Sequence, residues 1–215
     1  MNESIGGKIN QSVHPSSLIP SPLVRVFCAI ELPPEVRLSA ATHIATLRDG
    51  APHVRATWDR AEKLHITLKF LGEIEQSRVE DLSRAASRAV EGVPGFDLDI
   101  EGAGAFPPRG IPRVLWLGVT DPSGELARLW RRLEDECAAE GFAREKRPFH
   151  PHLTIARLRS PEGARRLAEM HQQAGFKAAR FTVAELIVVR SELGKGGSRY
   201  STISQHKLSQ GQNSS

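Results

Sequence analysis

Leu64-His-Ile-Thr-Leu68 and Pro151-His-Leu-Thr-Ile155 decide how this chain reads. Both are short apolar runs of β type, and in a strand residues two apart project from one face. His65 and Thr67 therefore share a face, while Leu64, Ile66, Leu68 and Phe70 take the other and pack inward. His152 and Thr154 repeat the arrangement. The chain holds 8 His, and chance alone gives roughly 0.3 His-x-Thr pairs in a chain of this make-up. One pair is weak; two at a matched spacing are not.

That spacing recurs. His65 and His152 are 87 residues apart, Arg25-Val-Phe-Cys-Ala-Ile30 matches Arg113-Val-Leu-Trp-Leu-Gly118 at 88, and Phe96-Asp-Leu-Asp-Ile100 matches Phe181-Thr-Val-Ala-Glu185 at 85. Helical patterns follow the strands. Pro33-Pro34 opens one with Leu38, Ala41, Ile44 and Leu47, and Ser77 with Glu80 forms a capping box before Val79, Leu82, Ala86 and Ala89. Ser123 caps a third, carrying Leu126, Leu129, Trp130, Leu133 and Cys137 up to Gly141. Ser160 and Pro161 start a fourth, with Ala164, Leu167 and Ala168 before Gly175. The expected fold is α+β: a duplicated, bilobal chain of two βαβαβ-like halves, with antiparallel-rich sheets and outer helices facing across a central cleft by pseudo-twofold symmetry.

Composition sets the outer bounds. The chain has 215 residues, 40% hydrophobic and 25% charged, enough for one ordinary core. A net charge of +4 favours a polyanionic partner without approaching histone-like density. Residues 1–23 and 209–215 read as polar disordered tails around a single bilobal domain over 24–208. There is no signal peptide pattern and no membrane-length apolar run. The two cysteines, Cys28 and Cys137, are expected as reduced thiols, which fits a cytoplasmic protein.

The two motifs, brought together, give a cleft floor with two imidazoles and two hydroxyls. Histidine titrates near neutrality, so one ring can donate a proton while the other accepts one. Threonine hydroxyls can donate to phosphate oxygens without a metal. In-line phosphodiester hydrolysis fits that inventory, with no cofactor and no metal ligand set.

The sequence resembles the 2H phosphoesterase superfamily, named for two His-x-Thr/Ser-x motifs. Within it, the chain is similar to the RNA 2′,3′-cyclic phosphodiesterases formerly called 2′-5′ RNA ligases. The resemblance rests on Arg25–Ile30, Lys63–Gly72, Phe106-Pro107, Val114–Gly118 and Arg147–Arg157. It implies hydrolysis of a terminal 2′,3′-cyclic phosphate to a 2′-phosphate, with His65 as proton donor, His152 as proton acceptor, and Thr67 and Thr154 on the phosphate. It implies a phosphate contact from Arg157. Strict alternation puts Arg157 on the face opposite His152, so that contact requires a bulge. The chain departs from the family in its long polar N-terminal tail and in Ala56-Thr57-Trp58, where the Trp usually follows Val-Arg directly. Trp58 is therefore left open as a cleft residue.

The expected partners are RNA ends or cyclic nucleotides bearing a 2′,3′-cyclic phosphate, with no membrane, no obligate protein partner and a monomeric state. RNA ligation through the same acid and base is one alternative; a non-catalytic RNA- or nucleotide-binding module is another. A zinc site would need His150 as a third ligand beside His65 and His152, and nearby cysteine is lacking. His43, His53, His171 and His206 read as solvent-facing, Trp116 and Trp130 as core, and Gly194–Gly197 as a hairpin turn. Lys69 shares the parity of His65 and so lines the cleft or a solvated edge; Phe70 has core parity.

Overall fold

The apolar run at the start of the described chain forms strand β1 (Leu23–Glu31), and Pro34 at the first helical position opens α1 (Pro34–Gly50). There follow β2 (Ala56–Trp58), β3 (His65–Glu75), α2 (Val79–Val90) and β4 (Phe96–Phe106). The second half gives β5 (Val114–Thr120), α3 (Glu125–Ala139), β6 (His152–Leu158) and α4 (Ala164–Ala174), then β7 (Ala179–Val183), β8 (Glu185–Gly194) and β9 (Gly197–Lys207). The computed structural model describes residues 21–176, 179–194 and 197–209. Both polar tails lie almost wholly outside them, as do Lys195 and Gly196 of the expected hairpin turn, whose flanking residues Gly194 and Gly197 are register partners.

The helices form where the patterns place them, but they start differently. Glycines at positive φ, Gly124 and Gly163, occupy the N-cap positions of α3 and α4, not Ser123 and Ser160. Asp121 Oδ2 and Ser123 Oγ instead accept from the Ala127 and Glu125 amides. At α2 the expected capping box does not form, because a turn of 3-10 helix at Gln76–Arg78 runs directly into Val79. The buried stripe of α1 is Val36, Ala40, Ile44 and Leu47, which leaves Leu38 at 69% exposure.

The strands form two antiparallel sheets, β3-β1-β8-β9 and β2-β6-β5-β4-β7. The pairing β1·β3 in the first answers β5·β6 in the second. The next strand in each sheet comes from the other half of the chain: β8 lies beside β1, and β4 beside β5. The helices are exchanged as well. α2 packs on β8 and β9 with α3 beside it, whereas α1 and α4 back the second sheet against β7 and β4. The duplication is thus present, but its third correspondence is corrected: β4 and β7 are antiparallel neighbours in one sheet, and the topological counterpart of β4 is β8. β2, on the outer edge beside β6, has no counterpart in the four-stranded sheet among the described residues.

Both motif strands carry a bulge at the same place. In β3, Thr67 pairs with Ala29 and Lys69 with Cys28, so Leu68 is the extra residue. In β6, Thr154 pairs with Trp116 and Ala156 with Leu115, so Ile155 is extra. Alternation reverses after each. The bulge that Arg157 required is present and turns its side chain to the His152 face. Its twin in β3 overturns two parity readings: Lys69 is buried (4% exposed) and Phe70 faces the cleft at 51%. One buried apolar cluster runs through both sheets and their helices, and a smaller one, Phe27, Ala29, Ile187 and Val189, lies on the first sheet.

Candidate active site

His65, Thr67, His152 and Thr154 line one cleft of about 390 Å³. β3 and β6, the flanking members of the two β-pairs, meet there and bring the motif residues to a common floor. The two imidazoles are fixed by the same device. His65 Nδ1 is 2.7 Å from the Lys63 carbonyl, and His152 Nδ1 is 2.7 Å from the His150 carbonyl. A carbonyl only accepts, so Nδ1 carries the hydrogen in each ring and Nε2 is left for chemistry.

Aromatic side chains hold the ring planes. His65 stacks on Phe27 at a centroid distance of 4.7 Å and meets the edge of Tyr200 at 5.4 Å. His152 meets Phe106 edge-on at 5.2 Å, with Trp116 beyond at 6.4 Å. Burial lowers the pKa of both rings below the ordinary imidazole value. At His65 the Lys63 carbonyl and Asp59 work against that fall, and at His152 the His150 carbonyl does so.

Around the floor stand Arg25, Arg60, Lys63, Arg157 and Arg159, a cationic rim suited to an anion. Arg157 Nη1 is 3.1 Å from Asp59 Oδ2. Asp59 and Tyr200 were not singled out in the sequence. Asp59 follows the short β2, and Tyr200 reaches the cleft from β9, so no local motif marks either. Trp58, left open, lines the cleft.

Other side chains depart from expectation. His171 is fully buried, bonded to His43 at 2.9 Å and to the Trp116 carbonyl at 3.0 Å, because α4 lies against the second sheet. His43 is half-buried for the same reason. Trp116 is only half-buried and stands beside His152 and His150; Trp130, also half-buried, stacks on Phe149 at 4.9 Å. His150 is exposed, and among the described residues no group of three or more His, Cys, Asp or Glu is arranged to hold a metal ion. Cys28 and Cys137 are free and buried.

Residues 34–195 match the family model of the 2′-5′ RNA ligase superfamily. The chain belongs to that superfamily. It is 31% identical to an RNA 2′,3′-cyclic phosphodiesterase of Methanothermobacter thermautotrophicus, over 86% of this chain and 99% of that protein. It is 33% identical to one of Escherichia coli, over 86% of this chain and 97% of that protein. Among solved structures of similar fold is E. coli LigT complexed with 3′-AMP, with a TM-score of 0.68 and 30% identity over 88% of this chain and all of that one. TT0787 of Thermus thermophilus gives a TM-score of 0.70 at 25% identity, covering 87% and 99%. The α+β duplicated fold and the family resemblance are both borne out. In this member of the 2′-5′ RNA ligase superfamily no described helix is long and apolar enough to cross a membrane.

Proposed function

We propose that the protein is an RNA 2′,3′-cyclic phosphodiesterase that opens the cyclic phosphate at an RNA end to leave a 2′-phosphate. The observation that carries this reading is the matched pair of imidazoles, each with Nδ1 tied to the carbonyl two residues back and Nε2 free in one cationic cleft. His152 Nε2 takes a proton from water as the water oxygen bonds to phosphorus. The P–O3′ bond breaks in line, and His65 gives its Nε2 proton to the departing oxygen. Thr67 and Thr154 hydroxyls donate to the non-bridging oxygens, and Arg157 supplies positive charge as it builds up there. His65 ends neutral and His152 charged, and exchange with solvent resets them.

The name of the matched family favours one further reading, in which a 5′-hydroxyl replaces water and the same acid and base make a 2′-5′ bond. The buried, free thiols suit a reducing compartment, and we infer a cytoplasmic monomer that needs no cofactor and no obligate protein partner. Incubating the protein with an RNA ending in a 2′,3′-cyclic phosphate, in excess chelator, tests the reading. Release of a 2′-phosphate end is expected. A 3′-phosphate product, or turnover only when a divalent ion is returned, overturns it.

A further inference from the structure

The two histidines are held alike, and a twofold arrangement by itself does not say which gives a proton and which takes one. The asymmetry enters with β2, the strand that has no counterpart in the other sheet among the described residues. Asp59 lies immediately after it, pinned by its amide to the Ile155 carbonyl at 2.9 Å, the carbonyl of the bulge residue itself. Among the described residues that line the cleft, Asp59 is the one carboxylate.

Its partner is Arg157, 3.1 Å away, and this ion pair lines the cleft. The negative end is felt at His65, where it favours the imidazolium more than Arg157 opposes it. At His152 no carboxylate contributes: the neighbouring His150 ring and then the positive end, Arg157, both disfavour the charged ring. The other groups facing His65 do not reproduce this. Arg37 from α1 opposes the charge and is itself 3.6 Å from Glu31; Lys63 commits its ammonium to the Ser198 carbonyl at 2.6 Å; Glu62 and Tyr200 complete the surroundings.

We propose that Asp59 is a positioning residue that breaks the equivalence of the two histidines, keeping the proton on His65 and leaving His152 neutral. The assignment rests on the proposed reaction for its meaning, but not for its measurement. Asp59 touches no reacting atom; it acts through His65 and through Arg157.

The test is an NMR titration of the imidazole carbons in the unmodified protein and in Asp59→Asn, with pH profiles of kcat/KM. In the unmodified protein His65 should titrate above His152, and the opposite order overturns the proposal whether or not the variant folds. In Asp59→Asn the His65 midpoint should fall while that of His152 moves less, and the alkaline limb of kcat/KM should shift to lower pH. On that limb the loss should be on the order of tenfold. A cyclic substrate with a good leaving group, which needs little protonation, should lose much less. Asp59→Glu should restore the limb. Equal losses with both substrates, or an unmoved His65 midpoint, would show that Asp59 merely braces Arg157. Failure of the unmodified protein to turn over any cyclic phosphate sinks the proposed reaction alone, since the titration reads Asp59 and His65 without turnover.

Discussion

Lys69 Nζ and Glu134 Oε1 are 2.8 Å apart with both side chains buried, joining β3 to α3 beneath the cleft. The rest of each group is used as well. Lys69 also donates to the Ala143 carbonyl at 2.8 Å, and Glu134 Oε2 accepts from the Glu145 amide at 3.0 Å, which fixes the segment that leads from α3 toward β6. Removing one partner strands the other as an unpaired buried charge. Lys69→Met or Glu134→Leu should each cost about 3–5 kcal/mol. Denaturant unfolding of the two single variants and the double one checks it; the double variant should lose much less than the sum.

Proton transfer should dominate the catalytic losses. His65→Ala and His152→Ala should each slow turnover by roughly 10² to 10⁴, and Thr67→Ala or Thr154→Ala by no more. A substrate with a good leaving group should rescue His65→Ala and not His152→Ala. The reverse pattern would exchange the two roles.

The pH profile should differ between free and bound enzyme. Burial lowers His65 in the free protein, so its charged form is lost as pH rises through a value below ~6.5, and with His65 as the proton donor the alkaline limb of kcat/KM should lie there. A bound phosphate anion favours the imidazolium, so the limb of kcat should lie at higher pH. Rate profiles for both constants settle the order, and a kcat limb at or below that of kcat/KM contradicts it.

Stability should fall in mild acid through the pair His43 and His171. Burial is the leading cause for both, and it holds His43 at about 4. The unfolded chain binds protons from ~6.5 downward while the folded one does not. The contribution is therefore complete above that value and is lost as pH falls toward 4. Thermal melts from pH 7 to pH 4 should show it, with a smaller slope in His43→Asn.

Gly104 fits closely under Trp116: a Cβ there would clash with the indole ring. Gly104→Ala should displace Trp116 and cost about 1–3 kcal/mol through overpacking. Because Trp116 stands beside His152, kcat should fall with it; unchanged kcat would mean that the indole has no part in holding His152.

How far the fold was legible follows from where the information sits. The His-x-Thr pairs and the helical stripes are local patterns of residue type, and they located the motif strands, the helices and the cleft floor. The bulges at Leu68 and Ile155 are set by pairing with β1 and β5, which alternation within one strand does not contain. Arg157 exposed its bulge only because a phosphate contact was expected of it; nothing asked the same of Phe70, and Lys69 was misplaced with it. His171 was misread because its burial depends on α4 lying against the second sheet. Asp59 was missed because its significance depends on a three-residue strand with no symmetric twin.

The crossing of β4 and β8 bears on how the molecule came to be one chain. A cut between Phe106 and Val114 would yield two fragments, each owning one His-x-Thr strand and each lacking strands that complete its own sheet. Either fragment finds what it lacks only in the other, as two copies of a half-length ancestor would have found it in a strand-swapped homodimer. In such a dimer both histidines are identical by symmetry. In a single chain each half is free to differ from the other, and β2 is an edge strand that, among the described residues, only the five-stranded sheet carries.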